Sequence, residues 1–202
     1  MSAHSGLMRH RRRAARLLPA WLLWSVGAVA AGAVVTGVVV LLASSASEPP
    51  AAAARDRAEL QAYASALRGP TAAGGEVVAR EMQPSIRELR AGQVDGATFA
   101  VRARGWQLAL QRVHQRIDAL ASPVAAAAAR PLFESAIDGY VAAAALFEKA
   151  GMAGGTARSD LLDRGVGVAR SADTAYDRAA AVVQDALRRE GLPPDPALPN
   201  PS

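Results

Sequence analysis

The sequence predicts an all-α protein in which an N-terminal transmembrane helix precedes an extracytoplasmic antiparallel helical bundle of about four long helices. No charged residue lies between Arg16 and Glu48, so this stretch can span a membrane. Beyond it, apolar residues recur at alternating spacings of three and four, which is the period of an amphipathic helix. No segment shows the alternation with period two that a half-buried β-strand requires.

Residues 1–16 form a basic tail that sets the predicted direction of insertion. The tail contains no acidic residue but carries five arginines, which are Arg9, Arg11, Arg12, Arg13 and Arg16. Basic residues beside a membrane span remain in the cytoplasm, so we expect the rest of the chain after the span to lie outside. The protein is therefore expected in the cell membrane as a single-pass protein. The same arginines are expected to contact anionic lipid of the inner leaflet.

Residues 17–43 are the predicted transmembrane helix. At about 1.5 Å per residue this run is roughly 40 Å long, which exceeds a hydrocarbon core of about 30 Å. The apolar stretch of a cleaved secretory signal has only about 7 to 15 residues, which favours an uncleaved signal-anchor. Cleavage near the small residues Ala43, Ser45 and Ala46 is the alternative.

Two pairs of small residues within the span have the spacing that allows helix backbones to approach closely. Ala28 and Gly32 form one pair, and Ala33 and Gly37 form the other. This spacing is found in membrane-helix dimers, so these residues are a candidate homodimer face, although the pattern is also frequent by chance. The alternative is that alanine and glycine are simply common in membrane helices and in this chain.

Residues 44–51 are a predicted linker, and residues 52–191 are the predicted bundle. We expect five helical segments, at 52–68, 73–91, 95–121, 123–150 and 157–190, separated by glycine and proline signals. The third segment contains a heptad seam, the apolar positions that should face the core. Its members are Phe99, Ala103, Trp106, Leu110, Val113, Ile117, Leu120 and Val124.

Prolines modify this pattern. The pair Gly69–Pro70 predicts a break between the first two segments, and Pro84 and Pro131 predict kinks or short breaks inside helices. Ser85 and Glu88 have the spacing of a capping box. Residues 192–202 are rich in proline and are predicted to form a disordered tail.

The distribution of charge argues against a nucleic-acid partner. The net charge is +5, but the five arginines of the tail account for it, because 18 basic and 18 acidic side chains follow residue 44. A neutral domain has no basic stripe that could follow a phosphate backbone.

The residues that usually carry chemistry are few, so we predict no enzymatic activity, no cofactor and no metal. The chain has no cysteine, and His114 is the one histidine after the predicted span. Gln111 stands where a di-iron bundle would need glutamate, and no second histidine follows to complete a metal site with His114 and Asp118. The acidic pair Asp173 and Asp177 is interpreted as part of a salt-bridged face.

The leading functional hypothesis is a non-enzymatic, membrane-anchored interaction or scaffold protein of the bacterial cell envelope, with a protein partner there. The alternative is a ligand-sensing or ligand-binding bundle that signals through a partner. For that alternative, Trp106, Arg130 and Tyr140 are the candidate pocket residues, with Arg102 as another source of charge. Aromatic residues at helical spacing are otherwise core residues.

Overall fold

The computed structural model describes residues 50–198, which form five α-helices. These are α1 (Pro50–Glu76), α2 (Gln83–Arg90), α3 (Gly96–Asp118), α4 (Ala129–Met152) and α5 (Gly155–Arg189). A π-helical segment (Val77–Met82) joins α1 to α2, and a 3-10 turn (Val124–Ala126) precedes α4. Residues 50–198 contain no strand, which confirms the prediction of an all-helical domain with about four long helices.

The predicted basic tail (1–16), membrane span (17–43) and dimer face all lie outside the described residues. The dimer face consists of Ala28, Gly32, Ala33 and Gly37. Within residues 50–198, no helix is long and apolar enough to cross a membrane.

Local signals in the sequence account for where several helices begin and end. The Asp95 side chain caps α3, because its carboxylate accepts hydrogen bonds from the Thr98 amide at 2.9 Å and the Thr98 hydroxyl at 2.7 Å. After α2, Gly92 adopts a φ of +69°, and the Gln93 amide donates back to the Glu88 carbonyl. This arrangement is a Schellman motif, which needs a residue that tolerates positive φ.

The predicted break at Gly69–Pro70 is wrong, because α1 runs through it without interruption. A proline inside a helix costs about 3 kcal/mol. Here the helix carries buried side chains on both sides of the proline, including Leu67 and Thr71, and Pro70 is itself buried. The Thr71 hydroxyl also donates to the Leu67 carbonyl at 2.8 Å. Burial along α1 thus outweighs the lost backbone hydrogen bond.

The other two prolines occupy first turns of helices. Pro131 is the third residue of α4, where a backbone N–H has no acceptor within the helix, so the predicted kink is absent. Pro84 is the second residue of α2, directly after the π-helical segment, so the chain does change its helical form there as expected. Ser85 and Glu88 form no capping box and instead contact Arg102 of α3.

The heptad seam of α3 is buried from Phe99 to Ile117, as the spacing predicts. Trp106 is 2% exposed and packs edge-to-face on Phe99, with ring centroids 5.6 Å apart. The seam ends earlier than predicted, because Leu120 is half-buried and Val124 is 96% exposed. The chain leaves the helix after Asp118 and re-forms as a 3-10 turn, so the register of α3 no longer determines where Val124 points.

Small residues allow the long helices to approach closely. Gly139 of α4 faces Ala172 of α5, and further along the same pair of helices Phe147 faces Gly165. Positions rise along α4 as they fall along α5, so the two helices are antiparallel. In the same way Arg104 pairs with Glu148, and His114 pairs with Asp138, which makes α3 and α4 antiparallel.

Part of the predicted disordered tail (192–202) packs against the bundle. Gln184 of α5 is 1% exposed, and its amide nitrogen donates to the carbonyls of Asp195, at 2.8 Å, and of Leu198, at 3.0 Å. The Asp195 carboxylate accepts from Arg68 of α1 at 2.9 Å. Residues 192–198 are therefore held by specific hydrogen bonds, whereas residues 199–202 lie outside the described residues.

Candidate ligand-binding cavity

The structure does not bring the three predicted pocket residues together. Trp106 belongs to the core between the helices. Arg130 pairs with Glu134, at 2.8 Å, and with Asp118. Tyr140 alone of the three lines a cavity beside α1 and α5.

This cavity has a volume of about 270 Å³ and lies among the C-terminal half of α1, the π-helical segment, α4 and α5. Most of its wall is apolar, and its polar groups come from tyrosine, threonine, glutamine and aspartate side chains. The residues that line it are Thr71, Gly74, Gly75, Val78, Ala79, Gln83, Ile117, Ile137, Tyr140, Asp173 and Tyr176. A mainly apolar concavity with a few convergent polar groups is the usual form of a small-molecule site.

Two adjacent glycines keep the cavity open on the α1 side. A Cβ atom at Gly74 would lie 3.7 Å from Val113 and 3.9 Å from Ile137, so a side chain there would point into the space between the helices. A Cβ atom at Gly75 would meet nothing within 4 Å. The π-helical segment begins two residues later, and such segments are frequent at functional sites.

A tyrosine and a carboxylate form the polar wall. The Tyr140 hydroxyl of α4 donates a hydrogen bond to Asp173 Oδ1 of α5. Burial, together with this neighbouring carboxylate, holds the pKa of Tyr140 well above its ordinary value. Tyr140 therefore stays protonated at neutral pH and remains a donor to Asp173.

A second tyrosine lines the cavity from α5. Burial raises the pKa of Tyr176, although the hydroxyl of Thr71 beside it has the opposite, smaller effect. The Tyr176 ring is anchored edge-to-face against Phe133, with centroids 5.6 Å apart. The cavity thus has two neutral phenols on helices that pack closely at Gly139 and Ala172.

A second, separate cavity of about 260 Å³ adjoins the first one beside the π-helical segment. The two cavities share Val78, Gln83 and Asp173, and the second is also lined by Phe147 and Arg170. Asp173 lies at their common edge and is exposed to solvent.

The residues considered for a metal site are engaged elsewhere. His114 Nδ1 lies 3.0 Å from Asp138 of α4, and Asp118 pairs with Arg130. Among residues 50–198, no group of three or more metal-ligating side chains comes together. Arg102, the other predicted source of charge, pairs with Glu88 at 2.7 Å.

Sequence reasoning found Tyr140 but missed its partner. Asp173 was interpreted as part of a salt-bridged face together with Asp177, because arginines are interleaved with both. Its contact with Tyr140 joins residues 33 positions apart, which no local spacing reveals. The pair Gly74–Gly75 within a helix was the signal that could have located the cavity, since glycine is unfavourable in helix interiors.

Comparison of the chain with models of known protein families, with curated proteins and with solved structures finds no match. The chemistry of the cavity and the organisation of the sequence are therefore the basis for assigning a function.

Proposed function

We propose that this protein is a membrane-anchored helical bundle that binds a small molecule outside the cytoplasm. The observation that carries this proposal is the cavity among α1, α4 and α5, where Tyr140, Tyr176 and Asp173 converge on an otherwise apolar space. A purely structural bundle would gain stability by filling such a space with side chains. The two glycines of α1 leave it open instead.

The membrane part of the proposal rests on the sequence. The uncharged run 17–43 and the five arginines before it support a single span with the bundle outside and with lipid as a partner. Because α1 follows the linker directly in the chain, a ligand that contacts Thr71 and Gly74 touches the helix nearest in sequence to the span. Ligand binding thereby biases the conformation of α1, and a partner protein that contacts the protein senses this conformational change.

Binding without chemical conversion suits the groups in the cavity. The raised pKa values of Tyr140 and Tyr176 keep both phenols protonated, so neither is a base at neutral pH. Asp173 is held by the Tyr140 hydroxyl and is exposed. No cofactor is required by this proposal.

The test is a thermal-shift screen of the full-length protein against a broad set of small metabolites, repeated with the cavity blocked. Gly75→Phe places a large side chain at the mouth of the cavity, where there is space for its Cβ. Gly69→Phe is the matched control, because Gly69 is an exposed glycine of the same helix and does not line the cavity. Both variants should fold.

The expected result is at least one compound that stabilises the wild-type protein and Gly69→Phe but not Gly75→Phe. A screen without any stabilising compound would contradict the proposal. Equal stabilisation of Gly75→Phe would also contradict it, because the ligand would then bind elsewhere.

A second candidate function, a scaffold that binds an envelope protein, is favoured by one surface. On α3, Val101 is 73% exposed and Leu108 is 52% exposed, and their separation of seven residues places them on one face. Gly105 lies between them with no neighbour within 4 Å of its Cβ position. Such an unpartnered apolar face is typical of a helix–helix contact.

The two functions can be separated by experiment. Val101→Glu combined with Leu108→Glu should abolish crosslinks from α3 to a partner in cells, and should leave ligand binding in the cavity intact. Crosslinks that persist unchanged in this variant would exclude the α3 face as the contact surface.

A further inference from the structure

We infer that the ligand is a small organic cation, an ammonium group carried on an apolar body, with about ten non-hydrogen atoms in all. This inference rests on the proposed function, since it names the chemical class that the same cavity would bind. The charge of the cavity, the free acceptor on Asp173, the two tyrosines of the lining and the volume each support it.

The charge in the cavity is negative. Among the described residues that line it, Asp173 is the one ionised group, and none is basic. Asp177 lies one helical turn further along α5 and acts on the Tyr140 hydroxyl in the same sense as Asp173. Arg170 lines the adjoining cavity, but none of the ion pairs among residues 50–198 joins it to Asp173. A ligand in this cavity therefore meets a carboxylate that lacks a basic partner.

Two of the hydrogen-bond donors in the cavity are already used. Tyr140 has one O–H, and it is donated to Asp173 Oδ1. The Thr71 hydroxyl donates to the Leu67 carbonyl at 2.8 Å. Asp173 Oδ2 accepts no hydrogen bond from the described residues. A ligand that donates a hydrogen bond therefore finds a free, charged acceptor at Asp173 Oδ2.

Both Tyr140 and Tyr176 line the cavity, and tyrosine is a residue type that suits the same cation. Tyrosine rings attract ammonium groups through the negative electrostatic potential of their faces. The remainder of the wall, with Val78, Ile117 and Ile137, is apolar and suits a hydrocarbon body. A fully polar cation would leave this surface without a complementary partner.

The volume limits the size of the ligand. A cavity of about 150 Å³ accommodates benzene, which has six non-hydrogen atoms. A cavity of about 270 Å³ therefore accommodates a molecule of about ten. The amine 2-phenylethylamine has this size and is the probe of choice. Its uncharged analogue 2-phenylethanol and the anion phenylacetate are matched in shape.

The experiment measures binding of these three compounds to the full-length protein by titration calorimetry. The amine should bind roughly tenfold or more tightly than the alcohol, because its hydrogen bond to Asp173 is charge-assisted, and phenylacetate should bind most weakly. Asp173→Asn should reduce affinity for the amine roughly tenfold, while the amide oxygen can still accept from Tyr140. Asp160→Asn, which makes the same change of charge on the same helix away from the cavity, should leave affinity unchanged.

The outcomes separate this inference from the proposed function. Binding of the alcohol at least as tight as that of the amine, or an amine affinity unaffected by Asp173→Asn, would overturn the cationic ligand. If Gly75→Phe abolishes that binding of the alcohol, the cavity is the binding site in the wild-type protein, and the proposed function stands. Failure of all three compounds to bind would overturn the inference. The metabolite screen with Gly75→Phe would then decide independently whether the cavity binds anything.

Discussion

Replacing Gly151 by alanine is expected to destabilise the bundle, because α3 and α4 make backbone contact there. A Cβ atom at Gly151 would lie 2.5 Å from the Gly96 carbonyl oxygen and 2.8 Å from the Ala100 amide nitrogen. Ordinary contacts at such positions are 3.4 Å or longer, so the deficit is about 0.9 Å against the first atom. Both neighbours are backbone atoms, and no change of side-chain rotamer can relieve the overlap.

The magnitude follows from two opposing effects. Overpacking of this kind costs about 1 to 3 kcal/mol. Alanine is favoured over glycine by up to about 1 kcal/mol inside a helix, but Gly151 is the penultimate residue of α4, where this gain is smaller. We therefore expect the free energy of unfolding to fall by about 2 kcal/mol, which corresponds to a Tm lower by roughly 4 to 8 °C.

Thermal and urea denaturation of the full-length protein, followed by circular dichroism, are suitable assays. Gly105→Ala is the matched control, since Gly105 lies inside α3 and is exposed, with no atom within 4 Å of its Cβ position. The control should raise the free energy of unfolding by up to about 1 kcal/mol. If Gly151→Ala is as stable as the wild-type protein, then α3 and α4 do not make backbone contact at Gly151.

Three further predictions concern the core, the tyrosines and the topology. Trp106→Ala should lower the free energy of unfolding by about 3 to 5 kcal/mol, because it opens a cavity beside Phe99, and an unchanged urea midpoint would contradict this. Burial raises the pKa of all three tyrosines of the chain, Tyr63, Tyr140 and Tyr176, so the native protein should show little phenolate absorbance near the ordinary pKa of 10.0. Because their pKa values are raised on folding, their contribution to stability is complete below that pH and is lost as the pH rises through the native values. An alkaline titration that shows ordinary ionisation before unfolding would disprove it. Protease added to intact spheroplasts should digest the bundle, and protection until the membrane is permeabilised would show that the predicted topology is wrong.

The prolines show why sequence rules of short range succeed at some positions and fail at others. The rule that proline interrupts a helix depends on one lost hydrogen bond and one local clash. At Pro70 the burial of Leu67 and its neighbours outweighs this local cost. At Pro131 the cost vanishes, because the helix begins only two residues earlier. The presence of a proline predicts neither the burial of its neighbours nor the residue at which the helix starts.

In the candidate site too, some features are predictable from the sequence and others depend on how the helices pack. Tyr140 was recognisable as an aromatic residue on a helical seam. Its function as a donor to Asp173, and the open space beside Gly74, depend on how α1, α4 and α5 pack. Composition likewise predicts an unstructured tail after residue 191, whereas the buried amide of Gln184 holds the backbone of Asp195 and Leu198. These hydrogen bonds join Gln184 to residues 11 and 14 positions further along the chain, and the spacing of apolar residues does not predict such pairs.

The sequence by itself determined the helical class of residues 50–198, the presence of about four long helices and the buried seam from Phe99 to Ile117. These features follow from the period of apolar residues, since a helix with one apolar stripe must bury it. The tertiary structure decided where helices continue through proline, how closely they approach at glycine and where a cavity remains. These features depend on contacts between side chains distant in the chain, and their free energies exceed the local preferences that the sequence displays.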